Sequence, residues 1–354
     1  ALAGAQAADL LDALVSHSLL VVRDHGLPRF HMLVTVRDFA LEQLSASGDE
    51  AEARAALHRW AVDLCSQIRF PMDAGDFGDS RHPEVRHQDR LFQQVAHDEA
   101  VILQQLDRLL AQADAHGSDH LPADLRDAIC LIGAALMRLW SVTWSYERIA
   151  DYGARLIGPA AQPAQDSRGN EAGLSVLAMC VTLFGLLSHV PAQVRSLLSA
   201  SFDGEGPFSR VRRFLRASDE QWPELIGDSD PWVAWAATRC LAAQQEDDGD
   251  PQASLETIEA LLGRLHSHDL AGIHLLELHL HRLQVLMSLG RYSQVVDACS
   301  RAQVLLERVL PSWGEFFRTT LHLEGAYCAV YLDPRPEAAG RLLESLEPVD
   351  LPGT

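Results

Sequence analysis

The chain has 354 residues, a net charge of −20 with His neutral, 47% hydrophobic and 22% charged residues. That apolar content can fill a large core and excludes a wholly disordered chain, while the acidic balance disfavours broad binding to nucleic acid or anionic membrane. All 29 basic residues are Arg, and without Lys the chain cannot supply a P-loop cation or the amine of Schiff-base and pyridoxal chemistry.

The first residues, Ala1-Leu2-Ala3-Gly4-Ala5, have neither Met nor a basic stretch, so the start reads as internal rather than secretory. Leu10, Leu11, Leu14 and Val15 recur at helical spacing. Two short apolar, β-branched runs follow at 19–23 and 30–34, flanking the turn cluster 24–28, and together they predict a hairpin. Thr35 is then placed to N-cap a helix carrying Val36, Phe39, Ala40 and Leu44. Helix, hairpin, helix is the back half of a winged helix.

Those residues, DLLDALVSHSLLVVRDHGLPRFHMLVTVRDFALEQL at 9–44, resemble the end of the winged-helix domain of large bacterial STAND (NB-ARC-type) ATPase regulators, the AfsR-like and LuxR-like ATPases. The resemblance runs on, more loosely, through 56–61, 95–110 and 132–159. It implies a C-terminal piece of a signal-transducing transcriptional regulator, bacterial and cytoplasmic. It also implies that ATP or ADP belongs to an N-terminal nucleotide-binding domain outside this chain, so no cofactor and no catalysis are expected from these residues. In the wider NB-ARC class a Met-His-Asp opens the last winged-helix helix and touches the nucleotide. The matching positions here are Met32, Leu33 and Val34. Leu33 cannot donate to a phosphate, which leaves a packing role for Met32, Val36 and Phe39. The wing carries only Arg23 and Arg29, so DNA reading by this segment is not expected.

Beyond residue 47 no stretch alternates with period two, so helices alone are expected. Helical blocks fall at 50–69, 89–115, 123–140, 145–157, 171–187, 191–200, 207–217 and 231–245. Loops rich in Pro, Gly and acid separate them at 70–88, 115–122, 159–170, 202–207 and 246–251. Residues 253–265 and 273–289 form a helix pair. Gly290-Arg291-Tyr292 opens the next, 293–310 with 315–331, and a further helix begins at 337. This Leu-Gly-x-Tyr turn with Ala298 one helix later resembles a tetratricopeptide repeat, at a spacing somewhat longer than the usual ~34 residues. Each such pair leaves an apolar face for its neighbour, and the array is expected to continue past residue 354. The predicted architecture is all-α: a partial winged helix (1–47), a helical arm (48–165), irregular helical repeats (166–250) and TPR-like repeats forming an α-solenoid (251–354).

No apolar run is long enough to span a bilayer; 174–187 is the longest. The six cysteines, Cys65, Cys130, Cys180, Cys240, Cys299 and Cys328, sit singly in apolar helices, a pattern of buried thiols in a reducing compartment. His274, Glu277 and His281 share a helical face, with ligand types that suit a divalent metal, although the spread is long for one ion and no HExxH occurs. Arg212, Arg213 and Arg216 share another face and are candidate contacts for a phosphate or acidic peptide, against a solvated face offset by Asp219 and Glu220. His82, His87 and His97 have no nucleophile partner in sequence, and the carboxylates Glu246, Asp247 and Asp248 read as a solvated turn. Trp140 with Trp144, and Trp232 with Trp235, are spaced for a core face rather than a ligand cage; Trp60 and Tyr146 complete the first set.

The expected function is therefore sensing and scaffolding. The helical repeats bind a protein or a small effector and relay it to the chain's own nucleotide-binding domain, with oligomers allowed and neither direct nucleic-acid nor membrane contact. The alternatives are a stand-alone TPR-like interaction scaffold and a His/Glu metal-binding enzyme. A parent with a far N-terminal DNA-binding activator domain is a variant of the first reading.

Overall fold

The computed structural model describes residues 7–24, 28–69, 83–117, 121–143, 145–162, 167–184, 210, 213–214, 217, 219–265, 272–309, 321, 327–328 and 331–332. They form thirteen helices and one two-stranded antiparallel sheet, an all-α architecture. Among them no helix is long and apolar enough to cross a membrane. Two compact units divide the chain, one built on residues 1–64 and one on 65–349.

In the first unit α1 (Ala7–Ser16) leads into β1 (Leu20–Asp24) and β2 (Pro28–Met32), which pair from Leu20↔Met32 to Asp24↔Pro28. This is the hairpin that the two β-branched runs predict. Helix α2 (Val34–Ser47) follows, then α3 (Glu50–Ser66). The expected Thr35 cap is corrected: α2 begins two residues earlier, at Val34, with Leu33 at the cap and no side-chain cap bond. The expected packing of Phe39 is corrected too, because Phe39 is 62% exposed and neither α1 nor α2 has a buried residue.

The second unit is helical throughout its described residues. Helix α4 (Pro83–His97) starts inside the stretch expected to be a loop, because Pro83 fits the first helical turn, where its missing N–H is no loss. The single block expected at 89–115 is two helices, α4 and α5 (Glu99–His116), separated at Asp98. Helices α6 (Ala123–Val142), α7 (Tyr146–Ala161) and α8 (Ser167–Phe184) follow. Helix α7 runs through Pro159, which the sequence places in a connector. The predicted helix 191–200, most of 207–217 and everything from 333 onward lie outside the described residues. A 3-10 turn (Asp219–Gln221) and the short α9 (Trp222–Leu225) precede α10 (Pro231–Asp247), α11 (Pro251–Arg264), α12 (Gly272–Ser288) and α13 (Tyr292–Val309).

Named contacts fix how neighbours run. Arg126 of α6 reaches the carbonyls of Pro159 and Ala160 on α7, and Trp140 stacks 5.2 Å from Tyr152, so α6 and α7 are antiparallel. Glu99 of α5 takes Arg148 of α7 while Asp107 takes Tyr152 and Arg155, so α5 and α7 are parallel. The same order returns downstream. Glu246 meets Ser254 and Gln245 meets Thr257, making α10 and α11 antiparallel. Gln252 meets Arg291 and Glu259 meets Arg282 on the next helix junction, which is also antiparallel. Trp235 meets His274, Arg239 meets Glu277 and Glu246 meets His281, so α10 and α12 are parallel.

Two turns of that run share one construction. Gly249 (φ +82°) and Gly290 (φ +68°) each end a helix in the left-handed conformation. Gly249 donates to Glu246 and Asp250 to Gln245 (3.0 and 2.8 Å); Gly290 donates to Met287 and Arg291 to Leu286 (3.0 and 2.9 Å). Both are Schellman closures, which satisfy the last carbonyls and fold the chain back. Asp230-Pro231 and Asp250-Pro251 start their helices alike: the carboxylate caps the N–H of Trp232 or Ala253 at 3.0 Å, with Pro at the first turn.

Candidate functional site

The polar residues of the second unit collect where α10 lies alongside α12. The face of α10 that meets α12 carries Trp235, Arg239 and Glu246, one or two helical turns apart, and α12 presents His274, Glu277 and His281 at the same pitch. Eleven of the seventeen residues of α10 are buried, Trp232, Trp235, Thr238 and Arg239 among them. A helix so apolar on most sides is held on several sides at once.

Each pair across the seam has its own geometry. The His274 ring stacks 4.0 Å from Trp235 and its Nδ1 lies 3.2 Å from Glu277 Oε2. Arg239 Nη1 donates to the Glu277 carbonyl at 3.1 Å. His281 Nε2 lies 2.5 Å from Glu246 Oε1, which also accepts from Ser254 at 3.2 Å. The predicted trio is thus divided: His274 and Glu277 pair with each other, while His281 turns to a carboxylate on the neighbouring helix. They do not converge on one point, and no group of three metal-ligand side chains stands together among the described residues. Glu246 departs from its expected place in a solvated turn, because α10 continues through Asp247 and carries it against His281.

The electrostatics follow from burial and partners. Burial pushes the Glu277 carboxyl up, but the His274 hydrogen bond and charge and the charges of Arg239 and Arg138 outweigh it, so the group sits below its ordinary value. Burial lowers His281; the Glu246 hydrogen bond and charge work against that shift and Arg239 adds to it, leaving the ring below its ordinary value. In the neutral form Nε2 donates to Glu246 and Nδ1 is an acceptor.

Sequence reading missed the unpartnered polar atoms around this seam. Trp232 Nε1, Trp235 Nε1, Thr238 Oγ1, Arg239 Nε and His281 Nδ1 are buried without a hydrogen-bond partner. Their residues are 1%, 5%, 0%, 6% and 4% exposed. Leaving one such group unsatisfied costs about 1–3 kcal/mol, so five along one helix pair is not an ordinary core. The signal present in sequence was Thr238-Arg239 in the middle of an otherwise apolar helix.

The other predicted sites are accounted for differently. Arg213 pairs with Asp228 at 2.8 Å and Arg210 with Asp230 at 3.4 Å; Arg212 and Arg216 lie outside the described residues. Trp140 is fully buried and donates to Glu99 at 2.7 Å, a packed core residue. Trp144 and His82 lie outside the described residues, and His87 is exposed on α4. Leu33 and Val34 are 59% and 61% exposed at the start of α2. All six cysteines are buried, and burial pushes the thiols of Cys65 and Cys130 up to about 12, far from a nucleophilic thiolate. Compared with protein-family models, characterised proteins and solved structures, the chain matches none.

Proposed function

We propose that this chain is the helical-repeat sensor or scaffold region of a STAND-type regulatory ATPase. A protein or small effector binds the repeat array, and the winged-helix end passes that event to a nucleotide-binding domain supplied by the parent protein. The observation that supports the array is the order of neighbours in 231–288: α10 and α12 run parallel, each runs antiparallel to α11 between them, and the turns at Gly249 and Gly290 close alike. Repeat units built this way stack into a solenoid, because each hairpin covers the apolar face of the one before. The relay requires the effector to prefer one of two conformations. The sequence resemblance at 9–44 supports the link to a nucleotide switch.

The test is the parent protein. Its reading frame should contain a glycine-rich phosphate loop with its Lys upstream of residue 1, and the purified full-length protein should retain ATP or ADP. A parent with no such loop and no bound nucleotide would leave the stand-alone scaffold.

A further inference from the structure

Helix α12 carries His274, His279 and His281, and His281 is held at one end only. Its Nε2 lies 2.5 Å from Glu246 Oε1, while Nδ1 is buried with no hydrogen-bond partner. A carboxylate accepts and cannot donate, so the neutral ring carries its proton on Nε2 and leaves Nδ1 a bare acceptor. A second proton would have to go on Nδ1, where it finds no acceptor in the closed seam. The bond to Glu246 would gain charge assistance, but Ser254 already draws on the same oxygen at 3.2 Å. Against that gain stand an unpaired buried N–H and a second cation near Arg239, whose Nη1 donates to the Glu277 carbonyl one turn before His281. The closed seam therefore disfavours the proton, and a ring in water accepts it. Burial and the Arg239 charge, which hold the ring below its ordinary value, agree with that geometry. The other charged groups around α12 have their own partners: Glu277 takes His274 at 3.2 Å, Glu259 of α11 takes Arg282 at 2.7 Å, and Arg301 of α13 acts on His279.

We propose that His281 makes the α10–α12 seam an acid-released latch: the ring takes up its second proton when the last turns of α10 part from α12, so acidification opens this seam while the α6–α7 junction stays closed. The released ring binds a proton with the ordinary affinity of His, about 6.5, and the closed ring binds it more weakly. Opening then gains up to about tenfold per pH unit as pH falls from about 6.5 towards the closed ring's value, and nothing above it. Release breaks the stack of Trp235 on His274 and frees the face of α10 that carries Trp235 and Arg239, so the array presents a different surface in acid. The inference rests on packing in the second unit and stands whether or not the array reports to a nucleotide-binding domain.

The experiment is hydrogen exchange of the full 354-residue chain read by mass spectrometry at pH of about 7.5, 6.5 and 5.5, each rate corrected for the intrinsic effect of pH. Peptides from α10 and α12 should lose protection several-fold, up to about tenfold, between the two lower values, with the dependence of a single proton. Peptides from α7 should keep theirs. His281→Gln keeps a donor for Glu246 and cannot titrate, and should hold α10 and α12 equally protected at all three values. His279→Gln should leave the loss in place, and it decides the matter if His281→Gln does not fold. Unchanged protection of α10 and α12 in the unaltered chain, loss of α7 in step with them, a folded His281→Gln chain that opens as steeply, or abolition of the loss by His279→Gln would each overturn the proposal.

Discussion

Two helix junctions in the second unit each bury an arginine, and they treat it in opposite ways. At the α6–α7–α8 junction Arg126 is 1% exposed and its guanidinium is spoken for: Nε donates to Pro159 O, Nη2 to Ala160 O, and Nη1 to Gly169 O at 2.6 Å and to Asp127 at 2.8 Å. Space there is made by absent side chains, since a Cβ on Gly173 would run into Arg126 and one on Gly169 into Asp127. At the α10–α12 seam Arg239 makes one backbone bond and keeps an unpaired Nε among other unpaired donors. The comparison separates two uses of a buried cation. Fully matched, it ties three helices together; under-matched, it leaves unmet hydrogen-bonding capacity inside the core.

The largest expected effect breaks the matched junction. Arg126→Met removes one donor from Asp127 and from each of three carbonyls, and should destabilise the chain by about 3–5 kcal/mol in urea unfolding. A loss under 1 kcal/mol would mean that the junction is not what holds α6, α7 and α8.

The under-matched seam predicts a pH dependence instead. His281 has a folded value below its ordinary 6.5, so the unfolded chain takes up a proton that the folded chain refuses. Stability is then fully present above about 6.5 and falls as pH drops towards the folded value, by up to about 1.4 kcal/mol per pH unit. His281→Gln keeps a donor for Glu246 and cannot titrate, so it should flatten that slope. Part of the slope should survive, because His279 is also lowered by burial and by Arg282 and Arg301. Equal slopes in the two chains would remove His281 from the account.

A smaller effect tests the repeat turns. A Cβ at Gly290 meets nothing within 4 Å, so Gly290→Ala adds only left-handed backbone strain, about 1 kcal/mol. Gly249→Ala should match it, because the two closures are built alike.

Much of the helical array was legible in the sequence, and the reasons are local. Asp230-Pro231, Asp250-Pro251, Gly249 and Gly290 are start and stop signals whose chemistry acts within one turn, and the helices begin and end where they say. Pro83 and Pro159 misled, because Pro marks a breaker in sequence yet is tolerated in a first helical turn or near a helix end. The break at Asp98 could not be read, since 94–102 keeps its helical period through it. The site was legible only in part. His274, Glu277 and His281 stand on one face as spacing requires, but their partners depend on which helix lies alongside, and that is set by packing across dozens of residues. Thr238-Arg239 stand out in sequence as polar residues inside an apolar helix, but that Trp235 Nε1, Thr238 Oγ1 and Arg239 Nε lack a hydrogen-bond partner is visible only in the structure.

The contrast between the two junctions is tested most directly by melting two variants side by side with the unaltered chain in anion-poor buffer. Thr238→Val deletes an unpaired hydroxyl and should leave the melting temperature unchanged or raise it by about 1–2 °C, while Arg126→Met should lower it by about 6 °C or more. If Thr238→Val also lowered it by several degrees, the hydroxyl would have a partner in the folded chain, and the distinction between a matched and an under-matched arginine junction would fail.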